Sequence, residues 1–170
     1  NRSSATMVTR GNATGIGGYF MTMRFGLTTL QAGQRGFYGI SDSIAAPTNV
    51  DPTTSNVIGK VGLMFNANTG NWKFGWNVAG TAPSVYDLGA NFPINTTDLY
   101  ELIIFVKPND TVMTYRVKNL STGAEVSSTT ASTNIPGNTT FVAPMMWMTN
   151  NATAAAVAYD IVGWYLESDN

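Results

Sequence analysis

The 170-residue sequence predicts an all-β protein, a two-sheet antiparallel β-sandwich with jelly-roll topology. Three observations carry that expectation. Segments with side chains alternating between apolar and polar follow one another with only turns between them, as strands with one buried face do. No segment of useful length holds a helical period. About nine or ten such strands and several long loops occur with no internal repeat of the length used by solenoids or propellers.

The elements are justified in order. Residues 1–16 are small and polar and are expected to form an N-terminal arm or leading strand, with residues 17–170 as a single jelly-roll domain. Gly18 to Leu27 reads as a strand in which Tyr19, Met21, Met23, Phe25 and Leu27 share one face. Arg35 to Ser41 is a second strand carrying Phe37 and Tyr38. Residues 42–56 hold two prolines, two aspartates and no periodicity, so a long loop is expected there, of the kind that often carries function. Val57–Phe65 and Asn71–Val78 form a hairpin, since Asn66, Asn68 and Gly70 in the connection tolerate positive φ. In its second strand Trp72, Phe74, Trp76 and Val78 share one face, while Asn71, Lys73, Gly75 and Asn77 share the other. A loop over 79–98 leads to a meander. There Leu99–Val106 is apolar on both faces except for Glu101, and Thr111–Lys118 alternates cleanly, with turns at 107–110 and 119–123. Thr140–Thr149 is a further strand. Ala154–Glu167 closes the chain; its two apolar faces predict a central, doubly covered position, with Asp160 paired or near a sheet edge.

Composition narrows the chemistry. Only 11% of residues are charged, against roughly 25% in typical soluble domains, and 23 Thr and 17 Asn supply the polar surface instead. A net charge of -1 gives no electrostatic reason to expect nucleic acid. With no Cys and no His, the chain lacks disulfides, thiolate chemistry, the commonest general base and the commonest metal ligand. No apolar run approaches the roughly 20 residues of a membrane span, so no membrane insertion is expected. The N-terminus lacks an initiator Met and a signal-peptide pattern, and reads as a piece of something longer.

Catalysis finds little support. A glycosidase needs two carboxyl groups flanking one bond; Asp98 and Glu101 are close but their odd spacing aims them at opposite faces, and Glu167 and Asp169 share a face only at the very end of the sequence. No catalytic residues, metal or cofactor are therefore assigned. Asp42, Asn49 and Asp51 offer oxygen ligands for calcium in one loop, though Asp and Asn there equally form turns. Aromatic residues give a better case for binding. Trp72, Trp76 and Trp147 would form a platform for stacking sugar rings, with amides and hydroxyls alongside. The competing reading is that an alternating aromatic strand faces the core. Tyr38, Asp42, Tyr86 and Asp87 are the other candidate ligand contacts.

The segments Tyr19-Phe20-Met21-Thr22-Met23-Arg24-Phe25-Gly26 and Gln34-Arg35-Gly36-Phe37-Tyr38-Gly39-Ile40 resemble the opening strands of lectin-like domains in tailed-bacteriophage fibre and structural proteins. So do Asp87–Pro93, Tyr100-Glu101-Leu102, Asn138–Phe141 and the closing Ala154–Asp169. The resemblance implies a concanavalin A-like jelly roll, displayed as the C-terminal domain of a longer virion protein such as a tail or head fibre. It further implies adhesion to a bacterial surface glycan or, alternatively, a decorating role that contacts only other virion proteins. A polysaccharide-degrading enzyme of the same fold is a third expectation. Scarce edge charges and the Met145, Met146 and Met148 group predict self-association, taken as a cyclic homotrimer.

Overall fold

A computed structural model describes residues 7–169 apart from 44, 46, 131 and 132. Ten strands are present: β1 (Gly17–Leu27), β2 (Arg35–Ser41), β3 (Lys60–Phe65), β4 (Lys73–Asn77), β5 (Ser84–Asp87), β6 (Leu99–Val106), β7 (Thr114–Asn119), β8 (Glu125–Thr129), β9 (Ala143–Thr149) and β10 (Tyr159–Asp169). They form two five-stranded antiparallel sheets, ordered β10-β1-β6-β7-β8 and β5-β4-β3-β2-β9. No helix occurs among the described residues, and none is long and apolar enough to cross a membrane. The fold is the two-sheet antiparallel β-sandwich that the alternation predicts.

The core lies between the sheets and is built by the faces that the period-two pattern assigns. From β1 come Tyr19, Met21, Met23, Phe25 and Leu27, and from β7 Tyr115 and Val117, all buried. Tyr38, Ile40, Val61, Leu63, Phe65 and Phe74 oppose them from the second sheet. Two aromatic stacks tie the layers together: Phe25 on Tyr38 at 4.2 Å between ring centroids, and Phe74 on Tyr115 at 3.7 Å. Each fully buried side chain of this size stabilises by roughly 1.5–3 kcal/mol, which makes this seam the main source of cohesion.

Element boundaries depart from the sequence expectation where side chains cap the backbone. β7 starts at Thr114 because the Asp110 carboxylate accepts from the Thr111 and Val112 amides, holding both in a turn. The 79–98 segment contains a short edge strand, β5, paired with β4. Residues 57–59 belong to the preceding long segment rather than to β3.

The closing strand is the larger correction. It does not begin until Tyr159, and it lies at the sheet edge with β1 as its single partner. Ile161, Val162, Trp164 and Tyr165 are 42–61% exposed. A register shift between Arg24 and Phe25 of β1, whose partners are Gly163 and Ile161, leaves Val162 out of the ladder. Two apolar faces reflected exposed apolar side chains here, not two covering layers. Asp160 is exposed on this edge strand, as its charge requires.

Candidate functional site

Register sorts the second sheet into two faces. Opposite the core-facing side chains, Phe37, Lys60, Met64, Lys73, Asn77, Met145 and Trp147 occupy outward positions. Between them Gly39 of β2 and Gly62 of β3 are register partners. A Cβ on Gly39 would stand 2.1 Å from the Val61 oxygen, and one on Gly62 2.2 Å from the Tyr38 oxygen. Only glycine permits so close an approach of the two strands.

Over this face folds, as a strap, the stretch 47–59 of the long connection between β2 and β3. Its Ile58 and Val50 pack with Phe37, Met64, Met145 and Trp147 into a second hydrophobic cluster, separate from the main core. The connection is pinned at its ends. Asp42 Oδ1 accepts from the Gly59 amide at 2.8 Å, and the Ser41 hydroxyl donates to the Gly59 oxygen at 2.8 Å. Lys60 lies beneath it, 1% exposed, donating from Nζ to Ser55 O at 2.6 Å and to Asn77 Oδ1 at 2.8 Å. Burial pushes the Lys60 ammonium down to about 8, and the nearby Asp42 and Asp51 charges act against that fall. The amide of Asn77 completes the link by donating to Ile58 O at 2.8 Å.

Where the strap meets the β3–β4 hairpin, a polar rim is formed. Asp51 Oδ1 accepts from the Thr53 amide at 2.8 Å and its hydroxyl at 2.7 Å, and Oδ2 accepts from Asn66 at 3.1 Å. Burial raises the Asp51 carboxyl, but these hydrogen bonds outweigh it and hold the group below the usual carboxylate range. Lys73 Nζ donates to Asn66 Oδ1 at 3.4 Å. Across β5, Asp87 is the register partner of Lys73 and accepts from Asn71 Nδ2 at 3.2 Å and the Gly89 amide at 2.8 Å. The rim thus offers amide donors, amide acceptors, two carboxylates and one ammonium.

The aromatic platform expected from the sequence does not assemble. Trp72 is fully buried, ringed by Phe25, Tyr38, Phe65 and Tyr100 at centroid distances of 4.9–5.6 Å. Trp76 packs half-buried against the same core, and Tyr38 is stacked within it. Trp147 lies under the strap, 5% exposed, with no partner for its Nε1 among the described residues. Asp42 anchors the strap. Tyr86 and Asp87 are adjacent on β5 and so point to opposite sides of it. Asp87 alone of the expected contacts stands on the open rim.

Asn66, Asn71 and Lys73 were not among the expected contacts. Their signal was the polar side of the aromatic strand, where Asn71 and Lys73 alternate with the tryptophans. For calcium, Asp42 and Asp51 are committed to holding the strap, and the Asn49 side chain accepts from Thr149 at 3.3 Å. No group of three or more carboxylates gathers among the described residues. Glu101 lies on the outer face of the first sheet, paired with Arg24 at 2.6 Å and Arg116 at 3.2 Å. Asp87 therefore stands on the far side of the sandwich from it, too distant for the two to flank one bond.

No protein-family model matches the sequence, and no curated protein matches it. Solved structures do share the fold. The Lotus tetragonolobus seed lectin is 16% identical with a TM-score of 0.61, covering 96% of this chain and 78% of the lectin. The CBM2 module of the evolved Dit protein from Lactobacillus casei BL23 phage J-1 is 13% identical with a TM-score of 0.57, covering 95% and 66%. Scytalido-glutamic peptidase is 13% identical with a TM-score of 0.52, covering 96% and 79%. At these identities the likeness defines a lectin-like sandwich and leaves its activity open.

Proposed function

We propose that this chain is a non-enzymatic glycan-binding domain displayed on a bacteriophage particle, where it attaches the virion to a bacterial surface polysaccharide. The observation that carries the reading is the polar rim of Asp51, Asn66, Asn71, Lys73 and Asp87 at the open end of a lectin-like sheet. Its donors and acceptors are fixed by one another, so they meet a ligand hydroxyl with little loss of side-chain freedom. The fold shared with a seed lectin and with a carbohydrate-binding module of a phage protein supports both halves of the proposal. So does the low charge, which leaves specificity to hydrogen bonding. Against an enzyme stands the dispersal of Glu101 and Asp87 to opposite faces.

The test is binding of the domain to host cells and to their extracted polysaccharides, compared with Lys73→Ala and Asp87→Ala. The expected result is retention by wild type and at least about a tenfold loss in either variant, the size of one charge-assisted hydrogen bond. Retention unchanged by both substitutions removes the rim from the proposal; no retention on any susceptible host removes glycan adhesion itself.

A second reading is favoured by β10, whose exposed apolar side chains and unpaired edge invite another chain. Under it the domain meets other virion proteins or further copies of itself, a trimer being the expected assembly. Sedimentation of wild type against Val162→Lys separates the two: self-association through this edge predicts that only wild type grows in mass with concentration.

A further inference from the structure

The first sheet presents its own outer face, and register lays it out in rows. Phe105, Phe20 and Glu167 are neighbours across β6, β1 and β10, and Ile103, Thr22 and Tyr165 form the next row. A cleft of about 90 Å³ opens at the end of the first row, lined by Phe20, Phe105, Pro108, Glu167 and Ser168 together with Tyr19 and Val106. We propose that this cleft is a second saccharide site, which takes the edge of a pyranose ring against Phe105 with Glu167 accepting from its hydroxyls.

The wall of the cleft is built rather than incidental. Gly18, at φ 76°, has no Cβ, and one placed there would stand 2.8 Å from Pro108 Cδ. The proline ring therefore seats directly on the β1 backbone. Arg10 fixes the turn that carries it: its guanidinium donates to Asp110 O and Pro136 O, and its carbonyl accepts from the Gly18 and Asn109 amides. On the other side, the Tyr165 hydroxyl donates to Glu167 Oε2 at 2.5 Å, which orients the carboxylate and leaves Oε1 without a partner among the described residues. Ser168 donates to Gly18 O at 2.7 Å and so keeps its lone pairs for an incoming hydroxyl.

The chemistry selects the occupant. Phe105 is 40% exposed and Tyr165 51%, so an apolar ring surface stands beside an acceptor. A pyranose matches both at once, with C–H bonds on its face and hydroxyls at its edge. An apolar protein surface would have to desolvate Glu167, the one charged side chain lining the cleft, while offering nothing to its free Oε1. An anionic ligand meets that same carboxylate, while the arginines of this face are held two rows away by Glu101.

The test titrates the isotope-labelled protein with methyl glycosides of glucose, galactose, mannose and N-acetylglucosamine and follows backbone amide shifts. Saturable shifts are expected around Phe20, Phe105 and Ser168 with at least one glycoside. Phe105→Ala should weaken that binding about tenfold, the worth of one aromatic contact, and Glu167→Gln should weaken it with the amide spectrum otherwise unchanged. Shifts confined to Asn66, Lys73 and Asp87 overturn the cleft and leave the rim proposal standing. Saturable binding untouched by either substitution overturns the cleft as well. A Phe105→Ala variant that changes only sedimentation reassigns the patch to contact between copies.

Discussion

The two outer faces of the sandwich solve the same problem in opposite ways. Both sheets have one face in the common core and one face left over. The second sheet covers its spare face with residues 47–59, burying Phe37, Met64, Met145 and Trp147 under Ile58. The first leaves its spare face bare, with Phe105 and Tyr165 exposed and a row of ion-paired arginines beside them. An aromatic side chain on an outward position is thus structural on one sheet and available on the other. The difference comes from chain length between strands: β2 and β3 are joined by a segment long enough to fold back, whereas the β6–β7 turn is too short to cover anything.

The comparison breaks most visibly through truncation. Trp147→Ala should cost about 3–5 kcal/mol, since it empties an indole from a covered cluster. Phe105→Ala should cost under about 1 kcal/mol, because much of its ring is already in water. Urea denaturation of both variants measures the contrast. Equal losses would mean that the two faces are alike in solution.

The buried ammonium sharpens the comparison with a pH signature that the bare face cannot give. Lys60 titrates near 8 in the folded chain and in the ordinary lysine range when unfolded. Between those values the unfolded state binds more protons, so stability rises with pH through that window. The span corresponds to roughly 3 kcal/mol at most. Tyr38 and Tyr19 work the other way: burial raises both phenols, so stability falls once unfolded tyrosine ionises near 10. Denaturation midpoints from pH 8 to about 9.5 should therefore climb in wild type and stay flat in Lys60→Met. A parallel climb in that variant would remove Lys60 as the cause.

What the sequence made legible follows from where side-chain periodicity is decisive. The β1 face from Tyr19 to Leu27 and the β7 face of Tyr115 and Val117 were readable because each residue type matched one side of a half-buried strand. Periodicity says which residues share a face, but not which face meets the core and which meets a strap. Trp147 and Phe37 alternate correctly and still lie outside the main core. For β10, hydrophobicity on both sides pointed to a central strand, because composition does not distinguish covered from exposed apolar groups. The rim depends on Asn66, Lys73 and Asp87 meeting across a hairpin and an edge strand, and β5 sat inside a Pro-containing loop with no period of its own.

The smallest expected effect tests whether the bare face is merely inert surface. Glu101 is 7% exposed at its side chain, while its partners Arg24 and Arg116 are 56% and 42% exposed. The arginine ends of the pair stand largely in water, where an ion pair is worth about 0–1 kcal/mol because water screens the charge and a long side chain loses freedom. Arg24→Ala should therefore destabilise by no more than about 0.5–1 kcal/mol, and the loss should shrink as salt is added. Glu101 keeps Arg116 in that variant, so no carboxylate is left buried and alone. If instead the loss exceeds about 2 kcal/mol and persists at high salt, Arg24 contributes through its aliphatic stem packed on the sheet. The first sheet's outer face would then be covered by its own side chains, much as the second is covered by its strap. Thermal denaturation at low and high salt separates the two outcomes.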